Sequence, residues 1–146
     1  MMINGEFKDK THYYDARVHY ADTDAGGVVY HSRYLDFCER ARAGVLHLID
    51  VNEIIELDGQ SYFWVARKAE LEYLAPAKVA DIITIETRFT HLGGASIHVE
   101  HIIKNADKIL VKAHLVMVLV SEKGRPQRIM PEIRHKMMPY VFEQMN

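Results

Sequence analysis

The sequence predicts an α+β domain in which one antiparallel sheet packs on one long helix. Its first sign is a helical period after residue 33, where apolar side chains recur every three or four positions: Tyr34, Phe37, Cys38, Ala41, Val45 and Leu48. A second sign is a series of alternating segments after residue 60 that are separated by turn signals. The third is the nearly continuous apolar run from Ile109 to Val120, which is typical of a central strand covered on both faces.

The N-terminal third of the chain holds the first strand and the helix. Residues 1–12 are polar and without a period, which predicts an irregular arm. Apolar and polar residues alternate from Tyr14 to Tyr20 and predict a half-buried strand. We expect the helix to end near Asp50, and residues 52–60 to form a short helical or irregular connection.

The remaining pattern predicts four strands, which brings the total to five. Proline ends the first of the four because it cannot continue a strand ladder, and Gly93-Gly94 and 105–108 indicate hairpin turns. Pro131 favours the start of a short terminal helix. The four strands are expected at Ser61–Ala75, Asp81–Thr90, Ser96–Lys104 and Ile109–Val120.

Composition bounds the class of protein. The 146 residues suffice for one domain, 1–146, and 49% hydrophobic with 26% charged residues is typical of a soluble globular protein. A net charge of −2 gives no electrostatic support for binding nucleic acid or an anionic membrane. No apolar run predicts a membrane span and no signal peptide is recognisable, so we expect a cytoplasmic protein.

The loop before the helix carries the strongest chemical signal. Asp22 and Asp24 lead into Gly26 and Gly27, and the free N–H groups at a helix start attract negative charge. A carboxylate in such a loop suits acyl transfer. By spacing alone, however, an aspartate here is more often a helix N-cap, and paired glycines more often only turn the chain.

At this loop the sequence resembles the hotdog-fold acyl-CoA thioesterases of the 4-hydroxybenzoyl-CoA thioesterase type. The stretch that carries the resemblance is YADTDAGGVVYHSRYLDFCERAR, from Tyr20, and it is most similar to the branch found beside the Tol–Pal cell-envelope genes of bacteria. A second stretch, ARKAELEYLAPAKVAD from Ala66, extends the resemblance over roughly residues 14–135. The resemblance implies a five-stranded antiparallel sheet wrapped around one long central helix, and a homodimer or homotetramer with its site at the dimer interface.

The resemblance also implies roles for individual residues. Asp24 corresponds to the catalytic carboxylate, as nucleophile or general base, and the backbone N–H of His31 to the oxyanion donor. The implied substrate is an acyl-CoA or an acyl carrier protein thioester, and no cofactor is expected. His98 and His101 lack the carboxylate or thiol partners of a zinc site, so no metal is expected either. Residues expected to bind substrate are Gly26, Gly27, Val28, Tyr30, Tyr62, Phe63 and Trp64, although core packing is the alternative for at least two of the last three.

Two other functions fit the same pattern. One is a non-catalytic scaffold that binds acyl groups or an acyl carrier protein and is linked to envelope lipid metabolism. The other is a hotdog dehydratase, but no His and acidic residue stand out as its acid–base pair. The benzoyl-type enzymes also carry basic residues for the coenzyme A phosphates near the turn that is Gly93-Gly94-Ala95 here, and this chain has none at that turn.

Overall fold

The computed structural model, which describes residues 2–142, is one curled antiparallel sheet with a long helix on one face. The seven strands lie in the order β1-β2-β5-β6-β7-β4-β3. No helix among the described residues is long and apolar enough to cross a membrane. The elements are β1 (Glu6–Lys8), β2 (Thr11–Arg17), α1 (Arg33–Leu48), β3 (Ile54–Leu57), β4 (Gln60–Tyr73), β5 (Ile82–Leu92), β6 (Ser96–Asn105), β7 (Lys108–Ser121) and α2 (Pro131–Met137).

The prediction of five strands around a single helix is wrong, because the sheet has seven strands and α2 is a second helix. β3 lies where an irregular connection was expected. It forms a hairpin with β4 through Asp58 and Gly59, whose φ angles of 52° and 76° match the left-handed turn that antiparallel strands favour. The Asp-Gly pair is a strong hairpin signal that the prediction overlooked.

β1 lies in the predicted irregular arm and also forms a hairpin. Lys8 pairs with Thr11 across a turn in which Asp9 has a φ of 58°. Phe7 holds this strand down through its ring contact with Tyr140, at a centroid distance of 4.3 Å. The sequence did not predict β1 because its three residues are too few to show an alternating period. Its contact with Tyr140 also lies far away in the sequence. The predicted first strand also begins earlier than expected, at Thr11, and ends at Arg17.

The centre of the sheet agrees with the sequence. β7 lies between β6 and β4, and most of its side chains are buried on both faces, which confirms the central strand. The hairpin between β6 and β7 closes where Asn105 pairs with Lys108, as predicted. Gly93 donates its N–H to the carbonyl of Ser96 at 2.8 Å, which confirms the turn between β5 and β6.

α1 packs its apolar stripe on the inner face of the sheet, against β2 and β5. One predicted member of the stripe is wrong: Leu48, the last residue of the helix, is 43% exposed. Ile49 and Val51, just beyond the helix, fill the core there instead. Gly44 faces the N-terminal arm so closely that a Cβ would lie 2.5 Å from the Asn4 carbonyl oxygen.

Two buried histidines lie beneath α1. His12 Nε2 donates to the same Asn4 oxygen at 2.6 Å. His101 contacts Thr87 Oγ1 through Nδ1 at 2.9 Å and the Arg42 guanidinium through Nε2 at 3.0 Å. Burial lowers the pKa of His12, and burial together with the charge of Arg42 holds the pKa of His101 well below its ordinary value. Both imidazoles are therefore neutral in the fold near pH 7.

We expect these two histidines to make stability fall as the pH drops below about 6.5, where a free histidine becomes protonated. There the unfolded chain binds more protons than the folded one, so the free energy of unfolding rises with pH. Each histidine contributes a slope of up to about 1.4 kcal/mol per pH unit. Urea melts between pH 5.5 and 7.5 measure the slope, which should become shallower in His101→Gln and stay unchanged in His135→Gln, a substitution at an exposed position. Equal slopes in His101→Gln and the parent would contradict this.

Candidate active site

The loop that carries Asp24 is a small hairpin of its own. Thr23 bridges Val29, the Asp24 N–H donates to the Val28 carbonyl at 2.9 Å, and the Tyr30 N–H donates to the Asp22 carbonyl at 3.0 Å. The helix begins only at Arg33, with Ser32 at the N-cap. The N-cap alternative for Asp24 is therefore wrong, since the carboxylate lies at a turn eight residues before the cap.

A second segment holds the other side of this hairpin. The Val29 N–H donates to the Ala77 carbonyl at 2.9 Å, and the Val79 N–H donates to the Gly27 carbonyl at 3.0 Å. Ala77 is fully buried and donates its own N–H to the Tyr34 hydroxyl on α1 at 3.1 Å. Because burial raises the pKa of Tyr34, its hydroxyl stays neutral. The loop is thus fixed to the first turn of α1.

The Asp24 carboxylate is exposed at the tip of the hairpin. Its Oδ1 accepts the N–H of Gly26 at 2.8 Å, and the Gly27 N–H donates to the Asp24 carbonyl at 3.1 Å. Gly27 has a φ of 79°, a conformation that a side chain disfavours. The glycines therefore do turn the chain, and the same turn presents the carboxylate to solvent.

His31 lies between this hairpin and the end of β4. Within residues 2–142, its N–H donates to no backbone carbonyl. Its ring lies 4.9 Å from that of Tyr73, whose hydroxyl donates to the His31 carbonyl at 3.3 Å. An open groove of about 270 Å³ lies beside these rings, lined by Val28, Val29, His31, Tyr34, Tyr73, Leu74, Ala75 and Pro76.

Sequence reasoning missed the parts of the groove that lie far from the loop in sequence. Tyr73 and the turn after it enter the groove from the end of β4, and Tyr34 was predicted only as a core residue. Pro76 predicted the end of the strand, but nothing in the pattern predicted which loop that end would meet. Tyr30, which was predicted to bind substrate, is 59% exposed at the edge of the same hairpin.

The three predicted aromatic residues of β4 lie away from Asp24 and His31 within one chain. Tyr62 packs with Ile55, Leu119 and Ile129, and its hydroxyl donates to Gln60 at 3.1 Å. Phe63 packs on the opposite face of the sheet, against valines of β7. Trp64 lines a separate cavity between α1 and β4.

The turn at Gly93 and Gly94 gains a cation from a distant part of the chain. Arg134 of α2 donates through Nη2 to the carbonyls of both glycines, at 2.7 and 3.0 Å. The sequence places no basic residue in this turn, so the guanidinium reaches it only through the fold. Among the described residues, no group of three or more His, Cys, Asp or Glu side chains is arranged to hold a metal ion.

Comparisons with known proteins define the class. A probable thioesterase from Bartonella henselae superposes with a TM-score of 0.78 at 37% identity, over 82% of this chain and 99% of that one. A Thermus thermophilus thioesterase complexed with coenzyme A and Zn gives a TM-score of 0.73 at 26% identity, over 88% of this chain and 93% of that one. The chain is a thioester hydrolase of the hotdog fold, as the sequence predicted.

Sequence relatives give the family. The acyl-CoA thioesterase YbgC of Haemophilus influenzae is 34% identical over 122 residues, which are 83% of this chain and 90% of that protein. The acyl-CoA thioester hydrolase YbgC of Escherichia coli O6:H1 is 38% identical over 117 residues, 80% and 87% of the two chains. Residues 18–137 match the profile of the thioesterase-like superfamily, and the chain belongs to it.

Proposed function

We propose that the protein hydrolyses acyl-CoA thioesters at Asp24 and the backbone N–H of His31. The observation that carries the proposal is their joint placement: one hairpin holds an exposed carboxylate at its turn and leads into an N–H without a backbone acceptor within residues 2–142. The relatives named acyl-CoA thioesterases support coenzyme A as the carrier of the acyl group. A cytoplasmic location and a link to the Tol–Pal system remain predictions.

The chemistry needs little more than these two groups. The His31 N–H donates to the thioester carbonyl oxygen and stabilises the negative charge that develops there. Asp24 either takes a proton from water, whose oxygen bonds to the carbonyl carbon, or attacks that carbon itself to form an anhydride that water then cleaves. In both routes the carbon–sulfur bond breaks, and the thiolate leaves and takes up a proton.

The loop backbone is suited to bind the thioester. Gly26 and Gly27 carry no side chain, so a ligand can approach their main chain closely, and Val28 adds an apolar side chain beside them. Tyr30 and the groove at His31 offer apolar ring surface beside them. We propose that these residues hold the part of the substrate next to the thioester.

We further propose that the protein is at least a homodimer, formed through β4. Only residues 60–63 of β4 pair with β3, so the strand has a free edge over 64–73 in the described part of the chain. Val65, Tyr73 and Leu74 on and just after this strand are 41–49% exposed. A long free edge with exposed apolar side chains tends to pair with another strand, and pairing with a second copy covers it.

Two-fold pairing of this edge has a geometric consequence. When a strand pairs antiparallel with its own copy, each end meets the opposite end of the other strand. The Tyr73 end, which borders the His31 groove, therefore adjoins the Trp64 end of the second copy. This arrangement brings Trp64, predicted for the acyl pocket, beside the groove.

Asp24→Asn tests the carboxylate. We expect a loss of turnover on the order of 10²- to 10⁴-fold, because the amide keeps the size but is neither base nor nucleophile. Thiol release from acyl-CoA measures the rate, and circular dichroism checks the fold. Asp36→Asn on the first turn of α1 is the matched control and should keep the parent rate. Full activity in folded Asp24→Asn would refute the assignment.

Substitutions at His31 separate its N–H from its side chain. His31→Ala keeps the N–H, so we expect a modest loss, whereas His31→Pro removes the donor and should cost roughly 10²- to 10³-fold in kcat. Ser32→Pro controls for proline at the helix start, where the Ser32 side chain makes no capping bond within residues 2–142. If alanine at position 31 is as damaging as proline, the imidazole is the working group.

Sedimentation equilibrium tests the dimer and should give a mass at least twice that of the chain. Hydrogen exchange locates the contact: the amides within 64–73 of β4 that point away from β7 should be protected, whereas the outward amides of β1, the opposite edge strand, should exchange faster. A fully active monomer would contradict the proposal.

A further inference from the structure

Arg42 is a half-buried cation that has no carboxylate partner among the described residues. Its side chain is partly buried between α1 and the sheet, and no carboxylate oxygen within residues 2–142 comes within 4.0 Å of the guanidinium. Burial lowers the pKa of Arg42, and the nearby Cys38 and Glu39 oppose that shift. Its remaining N–H donors are not buried, so they face the adjoining cavity and are available to an acceptor there.

Two buried residues on the sheet side, His101 and Thr87, hold the Arg42 guanidinium in place. Arg42 can only donate, so His101 Nε2, 3.0 Å from Nη1, carries no proton and accepts. The remaining nitrogen, Nδ1, then carries the proton and donates to Thr87 Oγ1 at 2.9 Å. Both His101 and Thr87 are buried. This chain of hydrogen bonds fixes one N–H of Arg42 and leaves the fork free to face a ligand.

Arg42 and Trp64 line the same two connected spaces. An outer cavity of about 290 Å³ opens between α1 and β4, and an inner apolar pocket of about 40 Å³ adjoins it; Met117 lines both spaces, and Met137 lines the smaller one. The Trp64 indole N–H is buried and has no acceptor among the described residues. The inner pocket has room for about three water-sized groups, which suits the end of a short chain.

The charged residues at the entrance of the outer cavity determine which kind of acceptor can bind to Arg42. Glu39 and Glu53 line the outer cavity, and Glu53 lies 3.3 Å from His47. With two carboxylates beside one guanidinium, the cavity is not a net positive site, and an anionic group would be repelled at its entrance. A neutral oxygen, a hydroxyl or a carbonyl, accepts from Arg42 without that repulsion.

We propose that this cavity receives the acyl group of the substrate, and that Arg42 selects a short acyl chain that carries a neutral oxygen at its far end. The inference rests on the proposed thioesterase function and on the paired β4 edges. Within one chain, Arg42 lies nine residues beyond Arg33 on α1, about 14 Å along the helix from the His31 groove. In the two-fold pair, the Trp64 side of the cavity adjoins the groove of the second copy. His101 is a positioning residue that aims the guanidinium.

The test compares isosteric substrates. The series consists of ω-hydroxyacyl-CoAs whose acyl groups have three to six carbons. Each is paired with the alkanoyl-CoA whose acyl group has one more carbon, so that the two differ only by a terminal hydroxyl in place of a methyl group. Octanoyl-CoA serves as a longer reference. For the best-fitting pair we expect kcat/KM to favour the hydroxyl by about 10- to 100-fold, the scale of one hydrogen bond to a charged group. In Arg42→Met this ratio should fall towards one, and the exposed Arg40→Met should keep the parent ratio.

The role of His101 is measured by the same ratio. His101→Leu should lower it, and His101→Gln, whose amide oxygen can accept from Arg42, should retain part of it. A merely structural role would change the rates for both members of a pair alike and leave their ratio unchanged.

Mixed dimers test which copy supplies Arg42. When folded Asp24→Asn and Arg42→Met chains are unfolded and refolded together, half of the dimers contain both, and each of these has one intact site. On the hydroxylated substrate we then expect about a quarter of the parent activity. If Asp24 and Arg42 instead act within one chain, only the Arg42→Met chains retain activity. The mixture then gives half the activity of Arg42→Met alone, which would contradict the proposal.

The outcomes separate this inference from the proposed function. Release of thiol from no acyl-CoA would overturn both. Hydrolysis with equal rates for hydroxylated and alkyl partners at every length, or a preference for octanoyl-CoA over all short chains, would overturn only the selection by Arg42.

Discussion

The packing of α1 on the inner face of the sheet is the contact on which the rest of the structure depends. It buries the apolar stripe of the helix and sets the position of both of its ends. At the first turn, Tyr34 accepts the Ala77 N–H and so fixes the segment that supports the Asp24 hairpin. Two turns later, the same helix places Arg42 over His101. One packing contact therefore aligns the loop and the cavity.

The Asp24 hairpin is a simple structure that holds one exposed carboxylate in a fixed position. Backbone hydrogen bonds on both sides of the loop hold it, and the positive φ of Gly27 allows its turn. The carboxylate receives one N–H from Gly26 and otherwise faces solvent in the single chain. A thioester is already activated, so the mechanism that we propose needs only this carboxylate, one N–H and a second copy that closes the site.

The sequence predicted the parts of the fold that local patterns determine. The helical period of the apolar residues predicted α1, and the continuous apolar run predicted β7. Turn residues predicted the two hairpins that connect β5 to β6 and β6 to β7. β1 was missed because three residues show no period, and its contact with Tyr140 is distant in sequence. β3 was missed although Asp58-Gly59 carried the signal. The sequence analysis placed the Asp24 loop at the helix start, whereas α1 begins at Arg33 with Ser32 as its N-cap, so the influence of the helix N-terminus on the carboxylate was overstated.

The candidate site also has one part that a local motif predicts and one part that only the fold brings together. Asp24 and His31 belong to one continuous stretch, so a motif could point to them. Arg42, Thr87 and His101 come from a helix and two strands, and no spacing in the sequence joins them. Only the register of the sheet and the position of α1 bring them together. A polar chain of this kind is therefore visible in a structure and not in a pattern.

Thiol release from acyl-CoA by the unaltered protein is the most direct measurement of whether this fold works as a hydrolase. With a thiol reagent and substrate in large excess, the account predicts many turnovers per chain, with one free acid formed for each thiol released. Binding of acyl-CoA without release beyond the uncatalysed rate would contradict it and would favour a scaffold that only holds acyl groups.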